Sequence, residues 1–437
     1  MICRWVTWIL LCTKGFVSAG EDSARFVADF EMRHRLESWN GMNAVNYGNP
    51  DRMGDLKDLL VLQRVITGFV WYPKENFEVS AHLQDSRAFG WSLQHRKEPE
   101  AFYSPATGIF MNPQEQFFEI HDLYIKKEAI WLPGLSAQLG RQKIFYGDNR
   151  VFGPGNWGNT GRWTWDALRF SYRKESNYID LFAGGTKTHH PQKTSIPFAK
   201  TQFWGGGMYA HYRWHELFIA EPFYALKTRG SGDKISEQQF LRHWAGTRVY
   251  NTNRNWHYDI TAVRQFGHNN HTPIRAFGVV AKIGYQLKKL PAKPLLSIRE
   301  SYASGGKANA GIDRTFEAVY GARDRYYGWM NICSWSNLDN REILLELFPV
   351  KGMWLEIKYN RYLIPEPTEA TLLNDLKLKQ GSRHLGDELN MLIRFRLTNQ
   401  LQFTAVFGWF MPGDVQDING HQPPNATFLG IQSLFTL

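Results

Sequence analysis

Leu135-Ser-Ala-Gln-Leu-Gly-Arg-Gln-Lys143 and Asp166-Ala-Leu-Arg-Phe-Ser-Tyr-Arg-Lys174 both alternate. In the first, Leu135, Ala137 and Leu139 share one face, against Ser136, Gln138 and Gln142. In the second, Leu168, Phe170 and Tyr172 oppose Arg169, Ser171 and Arg173. Side chains on a strand point to alternate sides, so a period of two marks a strand with two different surroundings. The pair reads as antiparallel strands with an oily side and a cationic side, joined by a long Gly-, Asn- and Trp-rich connection.

The same period recurs outward in both directions. Phe26, Ala28, Phe30, Met32 and Leu36 alternate with Asp29, Glu31, Arg33, Arg35 and Glu37. Near the other end, Leu389, Met391, Ile393 and Phe395 oppose Glu388, Asn390, Arg394 and Arg396. About 18 such segments can be marked between Arg25 and Leu437. Their connections take turns between short ones, such as Pro73–Asn76 and Thr398–Gln400, and long ones, such as Asp85–Gln116. An all-β fold follows: a closed antiparallel transmembrane β-barrel with short periplasmic turns and long extracellular loops. A soluble sandwich or propeller uses shorter strands and does not alternate its loop lengths this way. Closure leaves no backbone edge unpaired, which lipid requires.

Composition agrees. Mean hydropathy is −0.42, so no helix-spanning apolar block is hidden in the chain. Aromatic residues nevertheless make up 15%, with 17 Trp. Trp and Tyr form girdles at both surfaces of membrane barrels while the lumen stays polar. At the N-terminus, Arg4, the apolar run Trp5–Cys12 and Val17-Ser-Ala19 read as a signal peptide over residues 1–19, cleaved after Ala19. The barrel domain is then 20–437. Cleavage removes Cys3 and Cys12 and leaves Cys333 alone, which excludes an internal disulfide and a cysteine metal site. It also removes Arg4 and Lys14, lowering the formal charge of +10 by two. A basic balance points to an anionic partner.

If apolar faces meet lipid, the opposite faces line the lumen. They carry Arg33, Arg35, Arg169, Arg173, Arg213, Arg299, Lys358, Arg394 and Arg396, with Asp29, Glu31 and Glu388 among the interleaved carboxylates. Two readings stay open. The charges pair across strands and stabilise a wet wall. Or a surplus of arginine forms a track for an anionic solute, since the planar fork donates two parallel hydrogen bonds to a carboxylate.

Gly140-Arg-Gln142, Tyr146-Gly-Asp148, Arg150, Gly153-Pro154, Trp157, Asn159-Thr-Gly-Arg162 and Asp166-Ala-Leu-Arg169 together resemble the central block of the alginate export outer-membrane channel family. Ser80-Ala-His-Leu-Gln-Asp-Ser-Arg87, Tyr320-Gly-Ala-Arg-Asp324, Leu385-Gly-Asp-Glu-Leu389 and Phe410-Met-Pro-Gly-Asp414 extend the likeness. The resemblance implies an 18-stranded monomer that passes anionic polysaccharide or oligosaccharide outward. It implies that Arg141, Arg162 and Arg169 lie near the conduit, with Asp166 a counter-charge there. Asn159–Arg162 has an alternative role in folding the inward loop. Partners would be the polymer, outer-membrane lipid and lipopolysaccharide, and periplasmic export machinery.

No catalytic residue, cofactor or metal is expected. Gly205-Gly-Gly207 lacks the Lys-Ser/Thr and helix of a phosphate loop and fits close packing instead. His189-His190 and His268–His271 lack a third ligand. No nucleophile elbow supports a hydrolase. Aromatics alternate with basic residues on opposite faces, which excludes a nucleic-acid track. A general or nutrient-uptake porin of the same architecture is the alternative function.

Overall fold

The structure is a computed structural model, and it describes residues 24–42, 56–90, 103–104, 109–110, 114–155, 157–161, 163–190, 193–230, 240–252, 255–306, 311–321, 326–367, 377–416 and 420–437. The signal-peptide expectation for residues 1–19 lies outside them, as does Arg162.

Eighteen strands form one antiparallel sheet that closes on itself. They are β1 (Arg25–Met42), β2 (Leu56–Lys74), β3 (Phe77–Gly90), β4 (Gln116–Lys127), β5 (Leu135–Lys143), β6 (Thr164–Lys174), β7 (Asn177–Lys187), β8 (Thr201–His215) and β9 (Phe218–Arg229). The second half is β10 (Phe240–Tyr250), β11 (Trp256–Asn269), β12 (Thr272–Gln286), β13 (Leu295–Ala303), β14 (Leu338–Leu347), β15 (Met353–Leu363), β16 (His384–Arg396), β17 (Leu401–Pro412) and β18 (Ala426–Thr436). Each strand pairs with the next, and β1 pairs with both β2 and β18, from Glu31↔Thr436 to Asn40↔Thr427. The expected strand count and closure are therefore both present.

Alternation produces an inside-out protein. Phe26 is 56% exposed and Ile298 59%, while Arg33 is 1% and Arg35 2% exposed. Leu83, Ile125, Leu139, Leu181, Ile260, Ile343 and Ile431 join the exposed apolar rows. Water would penalise so continuous an apolar surface, whereas acyl chains would not. Aromatic rings mark both ends of the belt. On β11 and β12, Trp256 packs on Tyr285 near the short turns, and Phe266 and Phe277 are exposed near the other end. Trp256 and Phe266 are ten positions apart on one strand. At ~3.4 Å per residue and a tilt of about 40°, that spans about 26 Å of membrane, against an apolar band of about 25 Å.

Two local expectations need correcting. The stretch after Leu83 is not all loop: β3 runs on to Gly90. Gln84, Ser86 and Ala88 stay buried while Phe89 is exposed, so the alternation continues through the polar residues. Second, β11 and β12 meet across only Asn270 and His271, at the end where the other connections are long. Asn270 takes φ 51° to make that turn, a value Asn tolerates better than most residues.

β2 alternates poorly in sequence because its inner face is apolar too. Leu60 and Leu62 are buried in a cluster with Trp39 and Phe428. The inner wall continues this way through Trp165, Phe182, Tyr209, Phe223, Trp244 and Ala276. A wall facing only water would not carry these rings. They pack on chain that enters the barrel.

Candidate functional site: the occupied lumen

Two connections fold inward. One is the 144–163 segment between β5 and β6. The other is the 304–337 segment between β13 and β14. They pair with each other by short bridges, Tyr146↔Phe152 within the first and Phe152↔Tyr320 between the two. Gly153 N–H donates to Tyr320 O at 2.9 Å, and Tyr320 N–H to Val151 O at 3.1 Å. Tyr146 stacks on Tyr209 of β8 at 4.4 Å, and Phe152 meets Phe223 of β9 edge-on at 5.8 Å. Tyr320 sits 4.6 Å from Trp165 and 5.5 Å from Trp163. Each such ring pair adds about 0.5–1.5 kcal/mol beyond area burial.

Glycine at position 205 makes room for this core. A Cβ at Gly205 would lie 2.0 Å from Tyr320 Oη, and one at Gly207 would lie 3.0 Å from the Phe182 ring. The Gly205–Gly207 run is thus a seat for neighbouring rings, as the sequence suggested.

Polar anchors fix the same segments. Arg33 Nη2 donates to Gly158 O at 2.7 Å and to Asn159 Oδ1 at 3.0 Å. Arg35 Nη1 donates to Trp157 O, and its guanidinium lies 4.2 Å over the Trp157 ring and 2.7 Å from Glu37. Arg64, paired with Glu31 at 2.6 Å, also reaches Gly158 O at 3.3 Å. Asn159, fully buried, donates to Gln114 O at 2.7 Å and accepts at its own carbonyl from Ser86 Oγ at 2.8 Å. Of the two roles weighed for Asn159, these contacts are those of the loop-folding one. Across the lumen, Glu388 Oε1 accepts from Met330 N–H at 3.0 Å, and Asn390 Oδ1 from Trp329 N–H at 2.8 Å. Tyr362 Oη donates to Glu388 Oε2 at 2.9 Å.

Most remaining inward charges have an opposite charge beside them, on a neighbouring strand, on the same strand or on the inward chain. His211, Glu221, Arg248 and Asp259 form a chain with links of 2.9, 3.1 and 2.6 Å. Arg299 meets Glu342 at 2.6 Å, Lys282 meets Glu346 at 3.1 Å, and Lys358 lies 3.8 Å from Glu356. Asp29 lies 3.2 Å from His82. Glu317, from the 304–337 segment, accepts from both Lys227 and Arg242. Arg169 donates to Gln138 at 2.6 Å.

Arg141 and Asp166 are enclosed by protein, 0% and 2% exposed. On β6, Trp165 and Ala167 face the inner core, so Asp166 between them faces out, continuing the row of Leu168. Arg141, its ladder partner, grips it with a fork of 2.7 and 2.9 Å. Glu119 and Ser195 complete the knot at 2.9 and 2.8 Å, and Phe198 N–H donates to Asp166 at 2.9 Å. Ser195 and Phe198, from the connection between β7 and β8, therefore close over a buried ion pair. The pair continues the rows of Leu139 and Leu168, but it bonds Glu119, which lies opposite the buried Gln84.

A second group of arginines is different. Arg173, Arg213, Arg394 and Arg396 all lie on inward rows within three residues of the short-turn ends of β6, β8 and β16. The Arg173 side chain is 57% exposed, 3.9 Å from Asp180 and 4.6 Å over the Tyr178 ring. Arg213 and Arg396 are exposed, and Arg394 lies 5.1 Å over the Trp354 ring. Arg64, which the sequence reading missed, was hidden by the poor alternation of β2.

A family model described as alginate export matches residues 28–427. No curated protein matches the chain. Among solved structures, Pseudomonas aeruginosa OpdQ is similar with a TM-score of 0.61 and 11% identity, covering 96% of this chain and 99% of that one. Pseudomonas aeruginosa OccK5 (OpdH) gives 0.59 and 10%, covering 94% and 98%. Pseudomonas aeruginosa OpdK, solved with vanillate, gives 0.57 and 9%, covering 94% and 98%. At these identities the likeness is one of fold.

Proposed function

The chain belongs to the alginate export family, and from that premise we propose that it is an outer-membrane channel passing an anionic, uronate-type polysaccharide outward. The exposed inward arginines at the short-turn mouth carry this reading. With short turns on the periplasmic side, as single-chain barrels have them, Arg173, Arg213 and Arg396 stand where a polymer would enter. Guanidinium forks offer carboxylates many replaceable contacts, and a conduit must hold its cargo tightly enough to admit it and loosely enough to release it. No bond is made or broken, so the synthesis machinery or a gradient supplies the drive. Export through a signal over residues 1–19 and handover from periplasmic partners belong to the same proposal.

One observation favours a second reading. Two connections occupy the lumen, and a barrel narrowed in this way suits a small anion taken inward; OpdK, of the same fold, was solved with the aromatic carboxylate vanillate. Planar-bilayer reversal potentials under a salt gradient test both readings for anion preference. Anions should permeate better than cations, and vanillate at millimolar concentration should leave the current unblocked. Cation preference contradicts both readings, and vanillate block favours the second.

A further inference from the structure

The outer wall of the β11–β12 hairpin carries two arginines without a side-chain partner among the described residues. Val263 and Gln265 are buried on the inner side, so Arg264 and Phe266 face out; Ile274 and Ala276 are buried likewise, so Arg275 and Phe277 face out. The ladder sets Arg264 opposite Phe277 and Phe266 opposite Arg275. Arg264 and Arg275 are therefore diagonal neighbours, with Cβ atoms about 7 Å apart, and both are exposed. Among the described residues neither makes an ion pair or a side-chain hydrogen bond. Other outward arginines are paired: Arg341 has Asp339 at 3.0 Å, and Arg361 has Asp387 at 2.8 Å.

The surroundings fix the depth and the chemistry. Phe266 and Phe277 belong to the aromatic belt at the long-connection end, so the two guanidinium groups stand at headgroup level. His243 stacks on Phe266 at 5.1 Å, and exposed His268 and His271 lie just beyond. This hairpin also turns through only Asn270 and His271, so its own connection does not rise over the patch. Below it, Ile260 and Ile283 continue the apolar surface.

Two unpaired forks above an apolar stripe match an anionic group attached to acyl chains. We propose that Arg264 and Arg275 bind the phosphate of an outer-leaflet glycolipid of the lipid A type. The inference rests on the outer-membrane reading, but not on the identity of the cargo.

The test uses the full chain, delipidated in detergent and offered bis-phosphorylated lipid A, with binding read by native mass spectrometry. Wild-type protein should retain the lipid. R264E/R275E should bind at least about tenfold more weakly, since two charge-assisted contacts become repulsive. R264K/R275K should retain part of the affinity. Dephosphorylated lipid A should bind wild type as weakly as the phosphorylated lipid binds the Glu variant, and equimolar inorganic phosphate should not displace the lipid. Equal affinity of wild type and R264E/R275E overturns the site, as does equal binding of the dephosphorylated lipid or displacement by free phosphate. Should the Glu pair fail to fold, R264S/R275S carries the same comparison. Single-channel conductance stays unchanged in the folded variants because both residues face away from the lumen. Failure of the polymer reading would appear in that current and leave lipid retention intact, whereas protein that stays soluble without detergent would remove both.

Discussion

Removing residues 307–335 should raise single-channel conductance at least about fivefold, because an 18-stranded wall is wide enough for an aqueous channel once one of its two inward segments is gone. The deletion keeps Ser304-Gly-Gly306 and Ser336-Asn337 to turn the chain from β13 to β14. The wall should survive: Ala303↔Leu338 and the pairs below it need nothing from the deleted stretch. What is lost is part of the inner core. Phe316, Val319, Tyr320, Tyr327, Met330 and Trp335 are nearly fully buried, and their removal strips Trp165 of Tyr320 and Trp244 of its bond to Glu317 O. The variant should therefore unfold at a lower temperature while remaining a barrel, read by unboiled gel migration. Unchanged conductance would mean that the segment lies outside the ion path.

The triple variant R173E/R213E/R396E should reverse the sign of the reversal potential under a salt gradient. Each substitution changes the charge at the short-turn mouth by two, and none of the three is enclosed by the protein. A tenfold change in the anion-to-cation permeability ratio requires about 1.4 kcal/mol. A single pair of unit charges 4 Å apart in water already contributes about 1 kcal/mol. R141A is the matched control. Its guanidinium is fully buried and paired with Asp166 and Glu119, so selectivity should not move. Stability should instead fall by about 3–5 kcal/mol, the usual cost of stranding a buried partner. Selectivity lost in R141A and kept in the triple variant would invert the assignment.

The wall was legible in the sequence because a ladder imposes a period of two, and lipid on one side keeps that period hydrophobic. Phe26 to Leu36 on β1 and Leu389 to Phe395 on β16 show it without interruption. The inward segments were not legible. The 144–163 and 304–337 stretches have no period, and their partners are far off in sequence: Arg33 bonds Gly158, and Glu388 bonds Met330. Nothing local separates Arg33, which holds the chain inside, from Arg396, which does not. The same limit hid the knot around Arg141 and Asp166. Their strands keep the pattern up to Leu139 and Leu168, and the residues that break it do so because Ser195 and Phe198 cover them. Aromatics were expected only on the lipid side. Trp165, Tyr209 and Trp244 face inward because chain enters the barrel there.

The most direct measurement places defined uronate oligomers on the short-turn side of a single wild-type channel, beside neutral oligosaccharides of equal length. The account predicts brief, frequent current blocks by the uronates that lengthen with oligomer size, and none by the neutral sugars. Blocks of equal depth and duration by both, or none by the uronates, would contradict a conduit that selects its cargo by carboxylate.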